Sequence, residues 1–202
     1  MEIKIIGIAG VARVGKDTLC SDFLKELSRR NIKSQRLAFA DFLKEDLKDF
    51  LLAKSGVNVY TDTPEDKDLI RPLLVEYGKL MRNLSQGLYW INKIQSQLSK
   101  NLKDGIISII SDVRYPNEAS WINSFSQGST IHLSRNGILP ANEEERLNDP
   151  LVKESCTFNF QWKNLPEELI PPQSLEYFNE ISQFKPAERP EVSCISSATA
   201  RR

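Results

Sequence analysis

The sequence predicts an α/β fold, a mainly parallel sheet with helices layered on both of its faces. Three observations lead there: a β-branched run that stops at a glycine, a glycine-rich loop directly after it, and strand-like and helix-like periodicities that alternate along the rest of the chain. The run is Ile3, Ile5, Ile6 and Ile8, ended by Gly10, which is how a strand buried on both faces of a parallel sheet reads. Leu19, Phe23, Leu24 and Leu27 then recur at helical spacing up to Arg29 and Arg30. A short strand is expected at 36–40, and Phe42, Leu43, Leu47, Phe50 and Leu51 mark one face of the next helix. Residues 55–68, with Gly56, Pro64 and several Asp and Thr, read as an exposed loop, after which Pro72 opens a helix through Leu73, Leu74, Tyr77 and Met81. Gly87 breaks it, and Trp90, Ile94, Leu98 and Leu102 repeat every four residues in a further helix. Downstream come a core strand at 105–111 closed by Asp112, a helix at 117–125, a strand at 130–135 and a polar loop to Asp149. A strand near 157–160 and a helix near 175–184 complete the pattern, and residues 185–202, rich in Pro, Ser and Ala, are expected to form a mobile tail.

Composition narrows the function classes. The 202 residues carry 27 Lys plus Arg against 27 Asp plus Glu, with 40% hydrophobic and 8% aromatic residues, an ordinary globular balance. Zero net charge removes the global argument for a nucleic-acid-coating protein or an anionic-membrane binder, so any anion site must be built locally. Cys20, Cys156 and Cys194 are odd in number, widely spaced and without a C-x-x-C pair, which suggests neither a disulfide scaffold nor a zinc knuckle. No stretch approaches the roughly 18 apolar residues of a spanning helix. Glu2 before the first apolar run, with Arg13 and Lys16 after it, argues against a signal peptide. A cytoplasmic protein is expected, built as one domain over 1–184.

The motif with chemical content is Gly10-Val11-Ala12-Arg13-Val14-Gly15-Lys16, a G-x-x-x-x-G-K pattern. Its glycines let successive backbone N–H groups curl around a phosphate at a helix N-terminus, and Lys16 then reaches the β- and γ-phosphates. The bare pattern arises by chance in roughly 7% of chains this long. Its place directly after a buried strand and at the opening of a helix favours a phosphate loop over a glycine turn with a solvated lysine. Asp17 stands where a Ser or Thr usually meets magnesium, and Thr18 follows one residue later as the candidate hydroxyl donor for metal or α-phosphate. Asp17 serves either the helix start or the acceptor nucleotide. Asp112, at the end of an apolar strand, is the candidate second metal-binding group, and Arg114 the candidate cation for the transferring phosphate. A structural cluster of Asp112, Arg114 and Glu118 capping the next helix would use the same residues.

Several blocks occur together in a fixed order: Gly15 to Thr18, Leu37-Ala38-Phe39-Ala40-Asp41 leading to Lys44, Arg71-Pro72-Leu73-Leu74 to Tyr77-Gly78 with Arg82, Tyr89-Trp90-Ile91, and Asp112-Val113-Arg114-Tyr115-Pro116-Asn117-Glu118. In this the chain resembles the deoxynucleoside monophosphate kinases of tailed phages, over about residues 3–136. The resemblance implies a three-layer P-loop NTPase fold with a helical acceptor-binding insertion (41–104), and transfer of the ATP γ-phosphate to a dNMP with Mg2+. Outside the blocks that carry the resemblance, the polar stretch 136–152 is a candidate closing lid, and the location is host cytoplasm if the chain is phage-encoded. Lys44 and Arg82 would neutralise the acceptor phosphate, and Tyr77 or Trp90 would stack on or wall the base. Gly10, Arg13, Val14, Gly15, Lys16, Asp17 and Thr18 would hold the nucleotide, with Asp41 on the acceptor side.

The residues themselves leave other readings open. Trp90 has the spacing of a core residue, and Lys44 lies in a charge run that reads equally as a solvated helix face. Arg135, at a strand's carboxyl end, is a candidate to approach the nucleotide. Arg146 belongs to a lid or, with Glu143 to Glu145, to a solvated charge run. His132, the only histidine, lies inside a strand and is read as structural. No triad is expected, because phosphoryl transfer rests on positioning and cations. Beside the dNMP kinase stand a kinase of another small phosphorylated metabolite and a non-catalytic nucleotide-binding regulator. A homodimer is compatible with the sequence, and no nucleic-acid or membrane partner is expected.

Overall fold

The computed structural model describes residues 2–163 and 170–183. The strands are β1 (Ile5–Ala9), β2 (Ser34–Leu37), β3 (Ile107–Val113), β4 (Gly128–Arg135) and β5 (Phe158–Trp162). The helices are α1 (Lys16–Arg29), α2 (Phe39–Ser55), α3 (Pro64–Leu84), α4 (Tyr89–Lys103), α5 (Pro116–Ser124), α6 (Glu143–Ser155) and α7 (Ile170–Gln183). The five strands form one parallel sheet in the order β2-β3-β1-β4-β5, with β1 at its centre, Ile5 opposite Ser108 on one side and Gly128 on the other. All five β1 residues are buried, as the continuous β-branched run predicts.

Alternation along the strands divides the core into two layers around the sheet. On one face Ile6, Ile8, Ile109, Ile131 and Leu133 meet Leu19, Phe23 and Leu27 of α1 and Phe178 and Ile181 of α7, with the Phe23 and Phe178 rings edge to face at 5.3 Å. On the other, Ile5, Ile110 and Val113 meet Trp90, Ile91, Ile94 and Leu98 of α4, Ala119 and Ile122 of α5, and Val152 of α6. Each fully buried side chain of this size contributes about 1.5–3 kcal/mol of transfer free energy before entropy is set against it. A small satellite cluster of Leu47, Leu51, Val57, Val59 and Ile70 ties α2 to α3. The result is the three-layer P-loop fold expected from the sequence. Among the described residues no helix is long and apolar enough to cross a membrane.

The structure corrects four boundaries. The strand expected at 36–40 ends at Leu37, and Phe39 and Ala40 already belong to α2, because the Asp112 carboxylate accepts their two amides and draws the helix start forward. The loop expected at 55–68 ends at Thr63, since Pro64 at the first helical position and Glu65 and Asp66 in the first turn start α3 early. Pro72 then sits inside α3 instead of opening it. The carbonyl it releases, that of Asp68, lies on an exposed turn where water can satisfy it. The polar loop expected up to Asp149 contains α6, whose start is capped by Asn142 accepting from the Glu145 amide at 2.8 Å and whose buried anchor is Val152. The tail expected at 185–202, and Phe184 at the end of the last predicted helix, lie outside the described residues.

Candidate active site

The G-x-x-x-x-G-K loop, the candidate phosphate loop, runs from the end of β1 into α1, and two glycines shape it. Gly10 has φ +131°, and a Cβ there would lie 2.3 Å from the Leu133 carbonyl oxygen of β4. Gly15, the N-cap of α1, has φ +99°, and a Cβ there would lie 2.7 Å from the indole nitrogen of Trp162 on β5. Arg13 also takes a left-handed conformation, with φ 64°, and its side chain is exposed. Val14 is fully buried and pins the loop to the α1 face of the sheet. The loop therefore exposes backbone where side chains would fill space, and the free first-turn amides of α1 open onto it. Lys16 folds over this cradle, donating from Nζ to the carbonyls of Gly10 at 2.7 Å and Val11 at 2.8 Å. Burial and the Arg114 guanidinium pull its ammonium below lysine's usual range, against the opposite pull of Glu145, Asp17 and Asp112. Asp17 and Thr18 are both exposed in the first turn of α1.

Beside the loop lies a cavity of about 220 Å³. Phe39, Leu43, Leu74, Val75 and Trp90 line its apolar part, and Lys44, Lys79, Arg82 and Arg114 supply cations, with Asp112, Glu118 and Glu144 as the acids. Arg114 lines both this cavity and the narrow gap between Gly10, Val11 and Glu145, so it joins the two halves of the site. Asp112 is held at the cavity end of β3 with both oxygens accepting α2 amides, from Phe39 and Ala40, at 2.9 Å each. Its carboxyl is raised by burial, with these amides pulling it down.

Arg82 reaches the cavity from α3 with its guanidinium already engaged. It lies 3.3 Å from the centroid of the Tyr115 ring, donates to Asn117 at 2.5 Å and pairs with Glu118 at 3.3 Å. Glu118 is 3% exposed and accepts the Arg114 and Tyr115 amides. Burial pushes its carboxyl up to about 7, against the pull of those amides and of Arg82. An acid with a raised folded value binds its proton more tightly in the folded chain, so its stabilising contribution is full below the ordinary 4.5 and is lost as pH rises through about 7. Glu118→Gln keeps the shape without the titration. The wild-type melting temperature should therefore fall relative to the variant between pH 5 and about 7.5, and parallel melting curves over that range would show that Glu118 does not titrate there.

The remaining expected residues divide. Trp90 is both core and wall: it is 5% exposed, donates from Nε1 to the Gly78 carbonyl at 3.2 Å and still lines the cavity. Lys44 lines the cavity with its ammonium 5.8 Å from the Tyr60 ring centroid. Tyr77 is not brought to the cavity; its hydroxyl donates to Asp46, which also accepts from Tyr89 and Lys93. Asp41 pairs with Arg36 at 2.8 Å outside the cavity lining. Arg135 is exposed at the end of β4, and Arg146 pairs with Glu143 on the exposed side of α6. His132 is buried in β4 with Nε2 3.0 Å from Asp149, which ties α6 to the sheet.

Sequence reasoning missed Trp162 against Gly15, Lys79 and Tyr115 in the cavity, and Glu144 and Glu145 at the start of α6. For the two glutamates a signal existed, since Asn142 followed three residues later by Glu145 is a helix-start pattern. Among the described residues no group of three or more His, Cys, Asp or Glu side chains is arranged for a metal ion.

No protein-family model matches the sequence, and no curated protein sequence matches it. Among solved structures, the chain is similar to shikimate kinase from Bacteroides thetaiotaomicron, at 14% identity and TM-score 0.46 over 89% of this chain and 98% of that one. It is similar to shikimate kinase from Acinetobacter baumannii in complex with shikimate, at 9% identity and TM-score 0.45 over 90% and 96%. A Thermus thermophilus protein is similar at 15% identity and TM-score 0.49 over 88% and 97%.

Proposed function

We propose that this chain is an ATP-dependent phosphotransferase whose acceptor is a deoxynucleoside monophosphate, giving the dNDP. The observation that carries the reading is the junction at Arg114: a glycine-shaped phosphate cradle on one side, and on the other an aromatic-walled cavity with cations at its rim. A flat base fits against Trp90 and Phe39, and a phosphate fits among Lys44, Lys79 and Arg114. The helical part, 41–104, supplies most of that wall; of the candidate lid 136–152, the start of α6 lies against the site while Asp149 and Val152 hold its body to the sheet.

The loop amides and Lys16 hold the donor phosphates, and Arg114 faces the charge that builds on the transferring group. The bond from the γ-phosphorus to the β–γ bridging oxygen breaks as an acceptor phosphate oxygen bonds to the same phosphorus, and ADP leaves. A phosphate monoester has its second pKa near 6, so at neutral pH it attacks without a general base. Each Asp112 oxygen accepts one amide, from Phe39 and from Ala40, and keeps a second acceptor position. Thr18 and Asp112 are the residues that would hold magnesium, which neutralises phosphate charge when bound.

The test is an ADP-release assay with ATP, magnesium, each of the four common dNMPs and their ribose counterparts. Turnover with one or more dNMPs, at least tenfold above the ATP hydrolysis background, is expected. ATP binding with no turnover on any of them would move the acceptor to another phosphorylated metabolite or leave a regulator without transfer.

A further inference from the structure

Glu145 belongs to the first turn of α6, yet its carboxylate is spent on the phosphate loop. Its Oε2 accepts from the Ala12 amide at 3.2 Å and from the Ala141 amide at 2.9 Å, and its Oε1 lies 3.7 Å from Nη1 of Arg114. The side chain is only 13% exposed and stands close enough to Lys16 to raise that ammonium's pKa. The bond from Ala141, the residue before the N-cap, is local to the start of α6. The bond from Ala12 is not: it comes from a loop 133 residues away in sequence. An anionic oxygen that accepts an amide of a G-x-x-x-x-G-K loop, flanked by an arginine and the loop lysine, has the charge and the partners of a phosphate oxygen.

The same turn reaches the other half of the site. Glu144 accepts from the Tyr115 hydroxyl and lines the acceptor cavity. Further along, Val152 is fully buried and Asp149 meets His132, so the body of α6 is anchored on the sheet while its acidic first turn lies over the substrates' ground.

We propose that Glu145 is a built-in occupant of the phosphate loop, which a bound polyphosphate must displace from Ala12 and Arg114. The inference rests on the phosphate-loop reading and deepens it, making Glu145 an affinity-setting residue of the donor site. Two anions cannot share those donors at this distance, so Glu145 leaves when the donor phosphates arrive. Asn142 still caps α6 after the exchange. When the product leaves, Glu145 returns to the loop and speeds release.

Calorimetric titration with inorganic tripolyphosphate tests this on wild type, Glu145→Ala, Glu145→Gln and Glu143→Gln. Glu143 pairs with Arg146 on the exposed side and is the matched loss of charge from the same turn. Tripolyphosphate should bind Glu145→Ala about three- to tenfold more tightly than wild type, Glu145→Gln more tightly than wild type, and Glu143→Gln within about twofold of it. Glu145→Gln keeps an acceptor for the Ala12 amide, so it stays informative should Glu145→Ala loosen α6. Unchanged or weaker binding by both Glu145 variants, or an equal gain in Glu143→Gln, would overturn the proposal alone. Tripolyphosphate that binds none of the four proteins would overturn the phosphate-loop reading and this inference with it.

Discussion

Lys16→Ala should lower turnover about a thousandfold while the protein keeps its fold, the size of loss seen when one preorganised donor to a developing phosphate or oxyanion charge is removed. The stability side follows from what the ammonium does in the structure. It donates to the Gly10 and Val11 carbonyls, and it does so partly buried, at a desolvation cost large enough to pull its pKa down. Removing it leaves two loop carbonyls without that donor but also removes a costly charge, and the two effects largely offset, within about 1 kcal/mol. Lys16→Arg should not restore turnover, because a planar fork cannot replace a point charge folded against two carbonyls. Turnover and thermal melts of the two variants separate the readings. A lysine that merely closes a glycine turn would lower the melting temperature and spare turnover; a phosphate-loop lysine does the reverse.

The part of the fold most legible in sequence was the part with the simplest burial. β1 is buried throughout and its β-branched run said so, and the helical spacing of Leu19, Phe23 and Leu27 placed α1 correctly because all three point into one layer. α6 was missed for the opposite reason. Its buried face among the described residues is Val152, its first turn is three glutamates and Pro150 lies within it, so apolar periodicity had almost nothing to register. α3 was placed eight residues late because Ile70 is its buried residue while Leu69, Leu73, Leu80 and Leu84 are exposed, and apolar spacing there does not report the core.

The site divides along the same line. The loop glycines and Lys16 are contiguous and could be read directly. Trp162, Tyr115, Glu144 and Glu145 come to the site through the sheet order and the docking of α6; the Asn142–Glu145 pattern marks where α6 starts but not what it docks against. Asp112 lies between these cases: its position at the end of a core strand was correct, but its two bonds to α2 amides depend on where α2 begins.

Gly10→Ala should be among the most damaging single-methyl changes in this chain, and Gly15→Ala a milder one, although both sit in the same loop with positive φ. At Gly10 the added Cβ would lie 2.3 Å from the Leu133 carbonyl oxygen, and β4 is a central strand whose backbone cannot give way without breaking its pairing with β1. Conformational strain of about 1–3 kcal/mol adds to an overpacking cost of similar size, so a loss of about 3 kcal/mol or more is expected. At Gly15 the obstacle at 2.7 Å is the Trp162 indole, a buried side chain on the edge strand β5 that must shift within its packing, which costs less than moving a paired backbone. The strain is present there too, so the loss should be smaller than at Gly10, about 2 kcal/mol. The functional order differs. Gly15 is the N-cap whose conformation aims the first amides of α1, so Gly15→Ala should lose tripolyphosphate binding while still folded. Urea titrations with parallel tripolyphosphate binding check both claims. Equal destabilisation by the two variants would mean that positive φ, and not the approach of β4, is what requires glycine at position 10.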